Sequence, residues 1–493
     1  MILEIDSLQE GIDRYCSSWF KIDQLYRKYI YFLAESRQTT ILTSLSEKVE
    51  NLYSNEYLLK LGNRWQKQVD ALETWKAPVT PLQKDFFEDE VKAKLKSTKV
   101  FVIISDALRY EVADELVSVI RQANKFNAEL SPNLSMLPSY TQLGMAALLP
   151  NESLEIIADK TTTVLVDGQS SKGSDYRAKQ LKKSVERSCV VKAKDVLKYN
   201  RDEIRSFSRE NEVAYIYHNL IDHAGDKLES EETVFEAAQK TVEELSRIVR
   251  KIAGENIISN FIITADHGFL YQNQKLEDSD FLTDKFDEDE VLYYGRRFAY
   301  GQGLEERDAF KKLSSTELGL VGDLDVLIPK SINRLRLKGS GSRFVHGGAS
   351  LQEVVIPVIN VSKRRADDAI RQVDVEILQS GSSVITSGLL AVTLYQSEEV
   401  TDKVQKRELR AGIYNKAGEL ISDSHDLSFD LRYKNPRERE LPLRLMLSSK
   451  ADDSNGQEVT LRLEERQGTT SHYTKYKETR YILRRSFTSD FDF

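Results

Sequence analysis

The sequence predicts an α/β protein: a mostly parallel sheet flanked by helices, with an N-terminal helical region before it and a C-terminal antiparallel β-sandwich after it. Three observations carry this prediction. Apolar residues recur at three- and four-residue steps through residues 1–95. Short segments apolar on both faces then alternate with amphipathic helices over 96–362, the signature of a helix-covered parallel sheet. From 370 to 493, period-two alternation broken by turn signals takes over, as in a small antiparallel sandwich.

In the first region, Leu8, Ile12, Tyr15, Trp19, Ile22, Tyr26, Tyr29 and Leu33 form one stripe. A second helix is expected through Leu45, Val49, Leu52 and Leu58–Leu61 up to Trp75, where Pro78 and Pro81 stop it. The middle region opens with the run Val100–Ile104, followed by a helix carrying Val112, Leu116, Val119 and Ile120 on one face. Val164–Val166, Cys189–Val191, Val213–Tyr217 and Ile257–Thr264 read as further strands, with a helix over 231–253 closed by Gly254. The charged stretch Lys363–Asp368 reads as a linker. Beyond it, Val373–Ile377, Leu427–Leu431, Leu441–Leu447 and Val459–Leu463 alternate, with turns at Asn415–Gly418 and Asn455-Gly456.

Composition excludes several classes of function. At 493 residues the chain has room for about three domains and needs no disulfide or metal staple to build a core. With 23 Gly and 9 Pro it is neither collagen-like nor rich in long disordered tracts. A net charge of −8 removes any global basic field for DNA or anionic lipid, leaving only a local groove. The two cysteines, Cys16 and Cys189, lack paired spacing, which argues against a disulfide framework or a thiolate zinc site. No secretion signal opens the sequence and no run approaches ~18 apolar residues, so a cytoplasmic location is expected. A phosphate-binding Gly-x-x-x-x-Gly-Lys-[Ser/Thr] loop is missing, and Gly339–Ser342 reads as a flexible loop rather than a dinucleotide fingerprint.

The chemistry concentrates at strand ends. Asp106 follows Val100–Ile104, Asp222 lies just past Val213–Tyr217, and Asp266-His267 follows Ile257–Thr264. Of six histidines, His218, His223 and His267 fall in these segments, and His346 stands in a Gly-flanked loop. On one parallel sheet such residues converge at one rim, a mixed oxygen and nitrogen set suited to a divalent transition metal. Taken singly, Asp106 reads as a helix N-cap, Asp266-His267-Gly268 as a turn, His346 as a loop histidine and Asp222 as a surface carboxylate. The ordered combination is far more specific than its parts.

That order, Ile104–Tyr110, then Leu137–Thr141, then Thr264–Gly268, then His346–Gly348, resembles the alkaline phosphatase superfamily. The segments His218–Lys227 and Phe344–Pro357 look specifically like the PglZ family of the bacteriophage-exclusion (BREX) defence systems, over about residues 96–360. The resemblance implies an alkaline-phosphatase-like sheet and a metal-dependent phosphoric ester hydrolase, a phosphodiesterase with weak nuclease activity. Two divalent ions are implied, zinc first and manganese able to replace it. Thr141 matches the superfamily nucleophile, with the alternatives of an ordinary N-cap or of Ser139 as nucleophile. One ion would be held by Asp106, Thr141, Asp266 and His267, the other by Asp222 and His346. Asp226 stands where diesterases of the superfamily usually carry a histidine, either as a carboxylate ligand or as the mark of a weaker second site. Members of the family carry sequence before the region matching Met1, so this chain is expected to be a C-terminal part or a short member.

Charge counting sharpens the substrate expectation. Two dications offset three ligand aspartates and a threonine alkoxide; adding Asp226 leaves the site one charge negative, which favours a diester monoanion over a monoester dianion. Arg109, Arg296 and Arg297 are candidates to steady the phosphate, each also readable as pairing with a nearby acid. Lys311, Lys312, Lys330, Arg334, Arg336, Lys338 and Arg343 are the candidates for a basic strip beside His346, against the alternative of a solvated charged loop. The second function considered is a protein-interaction scaffold of the BREX complex with vestigial catalysis; the family resemblance implies the PglX methyltransferase and BrxB as partners. A phosphomutase ranks last, because no cap-sized insertion with its own core lies between Thr141 and Asp222.

Overall fold

Every residue of Val100–Ser105 is buried, because helices cover both faces of the sheet this strand centres. The structure, a computed structural model, describes residues 3–36, 43–122, 125–274, 276, 281–283, 286, 291–337, 341–363, 371–378, 384–401, 404–467, 470 and 472–485. It divides into two units, residues 1–363 and 364–493.

In the first unit, six strands form the central sheet: β1 (Val100–Ser105), β2 (Phe126–Leu134), β3 (Ser188–Lys192), β4 (Val213–His218), β5 (Asn260–Thr264) and β6 (Val355–Lys363), in the order β2-β6-β5-β1-β4-β3. The pairs β1/β4, β1/β5 and β3/β4 are parallel, whereas β6 runs antiparallel to both β5 and β2. Val164–Val166, expected in this sheet, instead pairs antiparallel with Leu154–Ile156 and Gln169–Ser170 in a small separate sheet. Three residues are too few to cross the main sheet, and the turn at Asp167-Gly168, both at positive φ, folds the chain straight back. A further antiparallel sheet, Tyr293–Tyr294, Ala299–Gly301, Phe310–Ser314 and Asp325–Pro329, gave no sequence signal.

The helical region is not a separate body. Helix α1 (residues 8–36) and helix α2 (residues 43–70) bury Ile12, Tyr15, Trp19, Tyr57, Leu61 and Trp65 in the same apolar core as the sheet. The expected stripe of α2 is only half right: Leu45 and Leu52 are 45% and 61% exposed, while Tyr53, Tyr57 and Leu58 are buried. The π-helical stretch Leu52–Leu59 is the cause, since its wider turn shifts which residues share a face. Polar ties reinforce the union. Asp23 of α1 and Arg109, both fully buried, pair at 2.8 Å, and the Tyr15 and Tyr53 hydroxyls donate to the same carboxylate. Trp65 donates its indole N–H to the Ala349 carbonyl at 2.6 Å.

Five further helices place the site: α3 (Tyr110–Gln122), α4 (Thr141–Ala147), α5 (Ser174–Ser184), α6 (Ala193–Lys198) and α7 (Ile221–Gly225). The expected helix over 231–253 is present as Val234–Ala253 with Gly254 at its end.

The second unit is a β-sandwich. A three-stranded sheet, Val375–Leu378, Leu389–Gln396 and Glu440–Met446, and a five-stranded sheet containing Arg407–Tyr414, Glu458–Arg466 and Tyr473–Leu483 bury one apolar core. Among the described residues its pairings are antiparallel apart from Val384–Ile385, which runs parallel to Ile482-Leu483, and Arg371-Gln372, which runs parallel to Val404-Gln405. The expected turns at Gly418 and Gly456 are there, each glycine at positive φ. Of the stretch read as a linker, residues 364–368 lie outside the described residues. Among the described residues no helix is long and apolar enough to cross a membrane.

Candidate functional site

The register of the central sheet decides where the polar residues meet. Ser105 of β1 pairs with His218 of β4, and Ile104 with Thr264 of β5, so the chain leaves all three strands at one edge. Asp106, Asp266 and His267 follow directly and are buried, as is Asp222 in α7.

Backbone groups of the β1 and β5 loops hold Asp266 and His267. Asp266 Oδ1 accepts from the amides of Ala107 and His267 at 3.1 and 3.0 Å. His267 Nδ1 stands 2.9 Å from the Gly268 carbonyl, which can only accept; Nδ1 therefore carries the hydrogen and Nε2 presents its lone pair. That Nε2 lies 3.1 Å from Thr141 Oγ1, 3.4 Å from Asp266 Oδ2 and 3.6 Å from Asp106 Oδ1. His346 stacks on His267 with ring centroids 4.1 Å apart, and its Nε2 is 3.9 Å from Asp222 Oδ1.

Ligand atoms fall into two trios, Asp106–Asp266–His267 and Asp222–His267–His346, each within 4.8 Å, and His267 is common to both. Asp106 Oδ1, Asp222 Oδ1, Asp266 Oδ2 and His346 Nδ1 are all buried without a hydrogen-bond partner. Leaving such atoms unpaired is costly in a protein interior, and the chemistry of the set, carboxylate oxygen and imidazole nitrogen without thiolate, fits divalent ions. The electrostatics point the same way. Burial, then the Asp266 and Asp222 charges, hold Asp106 well above the usual carboxylate range. Burial and Asp226 push Asp222 up to about 7. Burial, helped by His267 and Arg296, holds His346 well below the ordinary imidazole value.

Thr141 opens α4, whose N-cap Tyr140 offers no side-chain acceptor, so no side chain caps the amides of its first turn. α4 is seated by Gly144: a Cβ there would lie 2.3 Å from the Asp266 carbonyl oxygen. Ser139, the alternative nucleophile, is committed elsewhere. Its hydroxyl donates to the Gly348 carbonyl at 2.7 Å and accepts from the Gly347 amide, so it fixes the His346 loop.

Other sequence-derived candidates fall outside the cluster. The Asp226 side chain is 55% exposed, faces Arg296 at 3.6 Å and belongs to neither trio, because α7 turns it away one helical turn past Asp222. Arg109 is spent on Asp23 and Arg297 on Glu353 at 2.6 Å, both pairs fully buried, which leaves Arg296 as the candidate arginine beside the site. The basic strip is not a surface strip. Lys311 donates to the carbonyls of Asp70 and Leu72, Lys312 and Lys330 pair with Asp325 and Asp70, and Arg343 pairs with Glu232. Arg334 is buried against Gln272, Arg336 lies over the Phe281 ring, and Lys338 lies outside the described residues.

Two features had no sequence signal. Gln83 donates to the Asp266 carbonyl at 2.7 Å and accepts from the Met136 amide at 3.0 Å, bracing the loops that carry Asp266 and Thr141. A cavity of about 560 Å³ opens beside Asp106 and Thr141, with Arg177 of α5, Lys192 of β3 and Lys194 of α6 on its wall.

Comparisons with known proteins give the family. The BREX-system PglZ alkaline phosphatase-like domain family matches residues 86–361, more than half of the chain. The chain is 36% identical to the alkaline phosphatase-like protein BrxZ of Escherichia coli O9:H4 (strain HS) and 30% identical to the alkaline phosphatase-like protein PglZ of Bacillus cereus (strain H3081.97). Each match covers 97% of this chain and 56% of the relative, so the chain spans little more than half the length of those proteins. Among solved structures, human ectonucleotide pyrophosphatase/phosphodiesterase 5 aligns over 54% of this chain and 88% of its own, with a TM-score of 0.38 and 11% identity. Phosphonoacetate hydrolase of Sinorhizobium meliloti 1021 aligns over 53% and 89%, with a TM-score of 0.36 and 13% identity. The chain belongs to the PglZ family of BREX-system alkaline phosphatase-like proteins.

Proposed function

We propose that this chain is a metal-dependent phosphoric ester hydrolase of BREX defence that cleaves phosphodiesters through Thr141. The observation that carries the reading is the position of Thr141 Oγ1, 3.1 Å from His267 Nε2 and against a set of buried, unpartnered ligand atoms. Asp106, Thr141, Asp266 and His267 would hold one divalent ion, and Asp222 and His346 the other, zinc before manganese. Bound there, the ions would lower the hydroxyl pKa of Thr141 and offset the charge of the phosphoryl oxygens. The amides of the first turn of α4 receive a phosphoryl oxygen. Thr141 Oγ attacks phosphorus and loses its proton to water. The bond from phosphorus to one ester oxygen breaks, and the departing alcohol takes a proton from water. Water then cleaves the phosphothreonyl ester, restoring the hydroxyl and releasing the monoester.

PglX and BrxB are the partners proposed on family grounds. An interaction scaffold alone gives no reason to bury unpaired carboxylates, which favours the catalytic reading. The test is hydrolysis of bis(4-nitrophenyl) phosphate against 4-nitrophenyl phosphate, with metal content measured on the same sample. Faster diester hydrolysis that requires up to two ions per chain, and is lost in Thr141→Ala with the ions retained, is the expected result. Near wild-type turnover by Thr141→Ala, or no metal uptake after zinc loading, overturns it.

A further inference from the structure

The reaction at Thr141 leaves the neighbouring cavity unused. Its volume, about 560 Å³, falls in the range of small-molecule sites, about 300–1,000 Å³. It begins at Asp106 and Thr141, so whatever fills it is continuous with a phosphoryl group at the hydroxyl. The parallel pairing of Lys192 with Tyr217 aligns the ends of β3 and β4 along one wall. Met145, Leu220 and the Tyr217 ring, with the Arg177 guanidinium 5.1 Å from its centroid, give an apolar surface for a flat group. Lys192 and Lys194 stand at the exposed margin of this surface. Neither has a hydrogen-bond or ion-pair partner among the described residues, unlike the lysines of the 311–330 segment. One acid besides Asp106 lines the space: Glu244, which faces His218 Nε2 at 3.4 Å. The wall therefore carries three cations against Glu244, next to a cluster dominated by carboxylates. An ester arm without charge would leave Lys192 and Lys194 in solvent; an arm with a second anionic group would engage them.

We infer that this cavity binds one ester arm of the substrate and selects an arm bearing a second phosphoryl group, which Lys192 and Lys194 hold. The inference rests on the phosphodiester reading above and adds the substrate class. Two chromogenic esters that differ by one phosphate test it: thymidine 5′-(4-nitrophenyl phosphate) and its 3′-phosphorylated form. The wild-type protein is expected to favour the 3′-phosphorylated ester in kcat/KM by about tenfold or more, the scale of a hydrogen bond to a charged group. Lys192→Ala/Lys194→Ala, two exposed positions, should collapse that ratio toward one. Calorimetry with thymidine 3′,5′-bisphosphate gives a readout independent of turnover, with a Kd expected to rise about tenfold or more in the double variant.

Turnover of both esters at equal kcat/KM, or a bisphosphate Kd indifferent to the double substitution, overturns the subsite. If neither ester is cleaved while bisphosphate binding still depends on the lysines, the esterase reading fails and the subsite stands. Competition by adenosine 3′,5′-bisphosphate and by a short single-stranded oligonucleotide separates a free nucleotide from a strand as the source of the arm. The stronger competitor identifies the source, and competition by neither overturns the inference.

Discussion

Gly144→Ala is the perturbation with opposite consequences for helix stability and for the site. In an isolated helix the exchange is favourable by about 1 kcal/mol, because glycine carries the larger entropic cost. Here the added Cβ would sit 2.3 Å from the Asp266 carbonyl oxygen, 2.7 Å from its carbon and 2.9 Å from its Cα. All three atoms are backbone at the end of β5, and Gln83 pins the same carbonyl, so the strand end cannot yield by rotating a side chain. Ordinary contact begins at 3.4 Å, so α4 has to retreat by roughly 1 Å. That retreat separates Thr141 from His267, and a misplacement of this size costs on the order of 100-fold in rate. The assay pairs diester turnover and zinc affinity with thermal unfolding. Turnover should fall on the order of 100-fold and Tm should drop despite the better helix former. A variant with raised Tm and turnover within threefold of wild type would show that the contact does not set the position of Thr141.

Stability of the metal-free protein should fall as pH rises. The folded Asp222 holds its proton up to about 7, whereas an unfolded aspartate releases it near 4, at about 3.9. The folded state thus binds more protons across that window; the contribution is fully present below about pH 4 and is lost as pH climbs to about 7. Thermal melts with and without zinc check this, the zinc-induced rise in Tm growing with pH. Arg297→Met should unfold the site rather than disable it, since it leaves Glu353 buried and uncompensated at a cost of about 3–5 kcal/mol; denaturant unfolding is the measurement. Asp222→Asn should remove one ion per chain by elemental analysis, and Asp226→Asn, half exposed against Arg296, should leave the stoichiometry intact.

The strand-end cluster was legible because a parallel sheet converts sequence position into spatial position. An apolar run ending in Asp106 and another ending in Asp266-His267 meet at the same edge when their strands pair in register. Asp226 came from the family resemblance instead, as a carboxylate ligand or the mark of a weaker second site; spacing puts it one turn beyond Asp222 but does not tell that it faces Arg296. Lys192, Lys194 and Arg177 gave no signal: scattered cations look alike in a sequence, and only the β3/β4 pairing and the cavity collect them. β2 and β6 were hard to see for a local reason. Each carries a proline inside the strand, Pro132 opposite Pro357, where a missing N–H ordinarily argues against a strand.

The Asp23–Arg109 pair bears on how the protein can be cut. Arg109 follows Asp106 by three residues and is fully buried, yet its countercharge comes from α1, far upstream of residues 86–361 that define the family domain. A fragment trimmed to that span would keep Arg109 over the Phe269 ring but lose the Asp23 carboxylate that pairs with it, just behind the loop that carries Asp106. Evolutionary modularity and mechanical autonomy therefore part company here: the recurring segment draws the countercharge of one of its own buried arginines from outside its bounds, so a fragment meant to stand alone should include Asp23 and the helix that carries it.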